Sequence, residues 1–129
     1  MADLVVFSPV QGQVLHNGTP VAGAVVERHF RFVWGDEEAT DQVVTGPDGA
    51  FSLGVIQRRN FWASWLPHQP GIRQTVLIRH GGQVYKAWMH HKGDYLLNSE
   101  WGGRPARLVC RLESEPTSQG DGFGICVLE

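Results

Sequence analysis

Along most of this chain apolar and polar residues alternate with a period of two, and no segment sustains the helical period. Val10, Gly12 and Val14 alternate with Gln11, Gln13 and Leu15, and Asn17-Gly18 then supplies positive-φ positions for a turn. Pro20 has no N–H to give a ladder, so pairing is expected to resume beyond it. Ala24 to Trp34 reads as the longest strand. Ala24, Val26, Phe30, Phe32 and Trp34 share one parity, and Glu27, His29 and Arg31 share the other. Arg28 breaks the apolar parity and is expected to mark an edge or a bulge.

Thr40 to Thr45 and Ala50 to Val55 read as a hairpin over Gly46-Pro47-Asp48-Gly49, with Val44 facing Phe51 on one side. Phe61 to Leu66 is a further short strand, closed by Pro67 and Pro70. Ile72 to His80 and Gln83 to His90 form a hairpin over Gly81-Gly82. That two-residue turn pairs Ile78 with Tyr85 and Val76 with Ala87 on a core face. The opposite face then carries Leu77, Arg79, Lys86 and Trp88. Residues 91 to 105 read as a long loop, and Arg104 to Glu113 with Phe123 to Leu128 as a closing hairpin. The sum is about eight or nine short strands with turns between them, the pattern of an all-β antiparallel sandwich.

Composition fits this picture and narrows it. At 129 residues, 42% hydrophobic and 19% charged, the chain reads as one globular domain over residues 1–129. Its net charge of −2 and scattered arginines weigh against nucleic acid as a partner. No apolar run is long enough for a membrane span, and Asp3 stands where a secretory leader would be basic. A cytoplasmic location is therefore expected, or a periplasmic one if the chain is a processed form.

Candidate chemistry is sparse. None of the six histidines (His16, His29, His68, His80, His90, His91) has a helical ligand spacing, and adjacent His90 and His91 point to opposite faces of a strand. A metal enzyme on His90, His91 and Asp94 is the remaining version of that idea. No serine has a nucleophile-elbow context. With Lys86 and Lys92 as the only lysines, a Lys–Asn isopeptide is disfavoured. No cofactor and no enzymatic activity are expected. Cys110 and Cys126 face one another if the closing hairpin folds symmetrically about Ser118. They then form either a cross-strand disulfide or two buried thiols beside Leu108, Leu112 and Leu128; a one-residue change of register separates them. A disulfide would imply an oxidising compartment.

The candidates left are for binding. Asp36, Glu37 and Glu38, with Asp41, make an acidic turn suited to a basic partner surface, or simply a solvated turn. Trp88, on the polar parity with Arg79 and Lys86, and Trp101, in the Gly-rich loop, are candidate interface anchors. The competing reading folds the 91–105 loop over Trp88 and buries it. Trp34, Trp62 and Trp65 read as core.

Gly12-Gln13-Val14, Asn17-Gly18, Pro20-Val21-Ala22-Gly23-Ala24-Val25-Val26, then Thr45, Asp48-Gly49 and Phe51, resemble the transthyretin-like, carboxypeptidase-regulatory-like sandwiches. That resemblance implies a fold used mostly for binding or structure. One enzymatic branch, which hydrolyses 5-hydroxyisourate, ends in Tyr-Arg-Gly-Ser. This chain ends Cys126-Val127-Leu128-Glu129, so the resemblance does not carry that activity. Phe7-Ser8-Pro9-Val10-Gln11-Gly12, Leu66-Pro67-His68-Gln69-Pro70, Tyr85-Lys86-Ala87-Trp88 and Gly124-Ile125-Cys126 also resemble a family of small bacterial proteins of unassigned function. It implies a protein-binding role, as an immunity or effector-associated protein of a secretion system with a toxin or effector as partner. The alternative is a small-molecule or carbohydrate binder that uses surface aromatics. The sequence leaves oligomeric state open.

Overall fold

The computed structural model describes residues 4–32, 37–58, 71–94, 96–119 and 122–129. Trp34, Asp36, Trp62, Trp65, His68 and the strand expected over Phe61 to Leu66 lie outside the described residues. The strands are β1 (Leu4–Phe7), β2 (Val10–His16), β3 (Thr19–Pro20), β4 (Val25–Phe32), β5 (Glu38–Val44), β6 (Ala50–Leu53) and β7 (Ile56–Arg58). They continue with β8 (Ile72–His80), β9 (Gln83–Lys92), β10 (Ala106–Arg111), β11 (Thr117–Gln119), β12 (Gly122–Gly124) and β13 (Cys126–Leu128). A single turn of 3₁₀ helix at Ser99–Trp101 is the only helical piece among the described residues.

The fold is all-β. A six-stranded sheet runs β11-β12-β9-β8-β4-β5, and a five-stranded sheet runs β13-β10-β2-β3 with β6 also on β2. β1 and β7 make a small separate ladder. The inward residues of the two larger sheets share one core. Val10, Val14, Phe51 and Leu108 come from one sheet, and Val26, Phe30, Ile72, Val76 and Ile78 from the other. That is the face-to-face packing of a β-sandwich. Pairing is antiparallel throughout except for β2 with β10, which run parallel from Ala106 opposite Val10 to Arg111 opposite Leu15.

Several local expectations are corrected. Residues 40–55 do not form a hairpin, because β5 belongs to the six-stranded sheet and β6 to the five-stranded one. The Gly46 to Ala50 turn forms, with Gly46 N donating to Ala50 O at 3.1 Å, but it carries the chain across the sandwich. Val44 is consequently exposed while Phe51 is buried. Gly49 is required there: its φ is +76°, and a Cβ would lie 2.5 Å from Val14 O. Pro20 pairs on the short strand β3 rather than before it, opposite Leu15.

Arg28 marks neither an edge nor a bulge. It sits in regular register on β4, between β8 and β5, directly opposite Asp41. Its side chain is buried and bonds Asp41 through Nε at 3.0 Å and Nη2 at 2.6 Å, and its guanidinium lies 4.8 Å from the Phe7 ring centroid. A buried guanidinium is tolerable only with such a bidentate partner.

The closing segment also differs from a plain hairpin. β10 pairs β13 with Cys110 opposite Cys126, the register of symmetry about Ser118, and a disulfide joins the two cysteines. Between them the chain crosses to the other sheet. There β12 pairs β9 through Phe123 and Met89. Phe123 therefore belongs to the six-stranded sheet and not to the β10–β13 ladder.

Candidate functional site

The β8–β9 hairpin decides which residues face outward. From the Gly81-Gly82 turn the register runs as the sequence suggests, with Ile78 opposite Tyr85 and Leu77 opposite Lys86. It then shifts, so that Val76 faces Trp88 rather than Ala87. Ala87 is the extra residue of a β-bulge, and a bulge exchanges the faces of every residue after it. The expectation that Trp88 lies outside with Arg79 and Lys86 is therefore corrected. Trp88 points inward at 5% exposure, and Met89 takes the outward place. Two glycines of β12 accommodate the bulge. A Cβ on Gly124 would lie 2.2 Å from Ala87 O, and one on Gly122 would lie 2.5 Å from Trp88 Nε1.

The same shift turns His90 and Lys92 inward. The loop after β9 closes over them, which is the burying alternative for Trp88, and Trp101, expected as an interface anchor, is buried with it. Trp101 is 6% exposed and its ring centroid lies 4.3 Å from that of Trp88; His90 stacks on Trp88 at 4.9 Å. Leu108, Cys126 and Leu128 complete a cleft of about 420 Å³ beside these rings. Neither tryptophan offers an open face.

Beneath the loop is a buried polar hub. Lys92 Nζ donates to Leu96 O at 2.5 Å, to Glu100 Oε1 at 3.0 Å, to Asp94 Oδ1 at 3.3 Å and to Ser99 Oγ. The Glu100 side chain is 0% exposed. It accepts from Ser8 Oγ at 2.6 Å, Ser8 N at 3.0 Å and Gln74 Nε2 at 2.8 Å as well. Burial pushes the Glu100 carboxyl up, but the Ser8 and Gln74 hydrogen bonds outweigh it and its pKa is lowered. For Asp94 burial also opposes, and the Ser99 hydroxyl, the Leu96 N–H and Lys92 together lower it. Every acceptor site of Glu100 is taken, so the hub fixes a loop and leaves this carboxylate nothing to offer a substrate.

The outward face of the six-stranded sheet is built differently. One row across neighbouring strands reads Ser118, Phe123, Met89, Thr75, His29 and Thr40. A second reads His91, Arg73, Arg31 and Glu38. A third reads Lys86, Leu77, Glu27 and Gln42, and a fourth Val84, Arg79, Val25 and Val44. Met89 at 37% and Phe123 at 40% put an exposed apolar pair within this face. Arg79 and Lys86 are placed here, as expected.

The acidic turn is dispersed rather than presented as one patch. Glu37 pairs Arg58, Glu38 lies 3.6 Å from His29, and Asp41 is turned inward to Arg28; Asp36 lies outside the described residues. Of the expected surface residues, the structure brings Arg79, Lys86 and Glu38 onto one face and moves Trp88 and Trp101 to the interior. Met89, Phe123, Arg31 and Arg73 were not singled out from sequence. Their signal was strand parity, which the bulge inverts at Met89 and which Arg31 already obeyed.

Among the described residues no three His, Cys, Asp or Glu side chains converge as a metal site. No helix there is long and apolar enough to cross a membrane. A second cleft of about 540 Å³ lies on the five-stranded side, lined by Gln13, Val43, Asp48, Phe51 and Arg107 among others. A family model described as a domain of unknown function, DUF6795, matches residues 10–115. No curated protein and no solved structure matches the chain.

Proposed function

We propose that this chain, which belongs to the DUF6795 family, is a non-enzymatic protein-binding module whose working surface is the outward face of the six-stranded sheet. The observation that carries this is the Met89–Phe123 pair. Two large apolar side chains sit opposite one another on adjacent strands, exposed, and framed by charged residues. An apolar centre with a polar rim is the anatomy of a protein interface. An immunity or effector-associated role is the form suggested by the small bacterial family that the sequence resembles. A transthyretin-like ancestry suits a scaffold of this kind. The disulfide favours an oxidising compartment, which fits the periplasmic placement better than the cytoplasmic one.

The carbohydrate reading loses two of the aromatics it would stack on. Trp88 and Trp101 are covered by the loop and by each other. Affinity capture from the native lysate tests the proposal. The expectation is a stoichiometric protein partner that is lost with Phe123→Asp while the melting temperature stays unchanged. Capture that is indifferent to Phe123→Asp, or no stoichiometric partner at all, contradicts it.

A further inference from the structure

Resting on that reading, we infer that the partner presents an acidic surface around an apolar anchor. The face that receives it is a basic one on a chain whose net charge is −2. Among the described residues it holds four permanent cations, Arg31, Arg73, Arg79 and Lys86, against two carboxylates, Glu27 and Glu38. One of the two carboxylates is bonded to a cation of the face itself. Glu27 bonds Arg79 at 2.9 Å, and Glu38 turns to His29 at 3.6 Å although Arg31 is its partner in the ladder. Glu37, next in sequence, is taken by Arg58.

That leaves Arg31, Arg73 and Lys86 with no ion-pair partner among the described residues. Arg31 and Arg73 are moreover direct cross-strand partners on β4 and β8, one pair from the end of that ladder. Two like charges in this relation, with Cβ atoms about 5 Å apart, oppose strand pairing. His91 lies on the far side of Arg73 and offers no carboxylate. Glu38 is the one acid in this row, beside Arg31, and Arg73 has none on either side. An anionic group that arrives with a partner accounts for cations that have no ion-pair partner among the described residues. Guanidinium pairs match carboxylates bidentately, which favours Asp or Glu side chains of a protein. The neighbouring Met89–Phe123 row adds the apolar contact that a simple anion would not use.

The test titrates the full chain with three labelled probes: a peptide in which Glu residues flank Leu, the same peptide with Lys for Glu, and a short DNA duplex. The acidic peptide should bind, and its affinity should weaken as salt rises from about 50 mM to about 500 mM. The Arg73→Glu variant should bind it at least about tenfold more weakly. Its melting temperature should be unchanged or higher, because the substitution sets a carboxylate opposite Arg31. A structural role for Arg73 would instead lower the melting temperature. Any of four results overturns the inference: no binding of the acidic peptide at low salt, equal affinity for the lysine peptide, tighter binding of the duplex, or undiminished affinity in Arg73→Glu. The native partner separates this inference from the reading beneath it. A partner lost with Phe123→Asp but retained by Arg73→Glu leaves a protein-binding face and removes the acidic partner. A partner indifferent to both removes the face.

Discussion

At the scale of single residues, Lys92 and Glu100 show how this β-sandwich keeps charges inside. Each is fully withdrawn from solvent, and the pair survives because every remaining donor and acceptor is met by Ser8, Gln74, Ser99 and the Leu96 carbonyl. Breaking one side of such a pair costs more than removing both. Glu100→Gln is expected to destabilise the protein by about 3 kcal/mol, and Lys92→Met/Glu100→Leu by less than the two single changes together; urea denaturation measures both. The pH dependence follows from the same bonds. The folded protein holds the Glu100 and Asp94 carboxyls below their ordinary values of 4.5 and 3.8, so in acid it binds fewer protons than the unfolded chain. Their contribution is complete above that range and is lost as the pH falls through it and below. A thermal melt series from neutral to strongly acid pH should show a plateau and then a decline, with a shallower decline in Glu100→Gln. None of this was visible in the sequence. Lys92 and Glu100 are eight positions apart in what reads as a polar loop, and Ser8 and Gln74 join them only through the tertiary fold.

At the scale of elements, one inserted residue governs the molecule's surface. The turn at Gly81-Gly82 and the strands on either side of it could be read from the alternation of apolar residues, and they form where expected. The bulge at Ala87 could not be read, because a shift of one residue leaves the local pattern equally plausible. It is set by the strand alongside, where Gly122 and Gly124 admit the displaced backbone and the Trp88 ring. Gly124→Ala, which brings a Cβ against backbone, is expected to cost about 2 kcal/mol in a denaturation experiment. The 46–50 turn was legible for its residues but not for its destination. Turn chemistry fixes a reversal of direction, while the choice of sheet depends on partners distant in sequence. The cysteines were legible as a facing pair and follow the parity expected of them. Their disulfide encloses β11 and β12, and Gly122 of β12 lies against the Trp88 ring. With 16 positions between them, reduction or Cys110→Ser/Cys126→Ser should lower stability by about 3 kcal/mol.

At the scale of the whole molecule, the two faces of the sandwich have been given different work. The sheet interiors and the loop over Trp88 and Trp101 supply cohesion. The outward face of β12, β9, β8, β4 and β5 carries exposed Met89 and Phe123 and, among the described residues, cations without an ion-pair partner at Arg31, Arg73 and Lys86. The class of fold followed from patterning alone, because alternation and turn residues are local properties. The candidate site was half legible: Arg79, Lys86 and Glu38 fall on the face, whereas Trp88 and Trp101 lie inside and the exposed apolar residues there are Met89 and Phe123. The most direct test of that face is hydroxyl-radical footprinting of the isolated partner complex against the free protein, read by mass spectrometry. Met89 and Phe123 should be oxidised in the free chain and protected in the complex, with Trp88 and Trp101 slow in both. Unchanged oxidation of Met89 and Phe123, with protection appearing in the 96–104 loop or on the five-stranded sheet, would contradict the account.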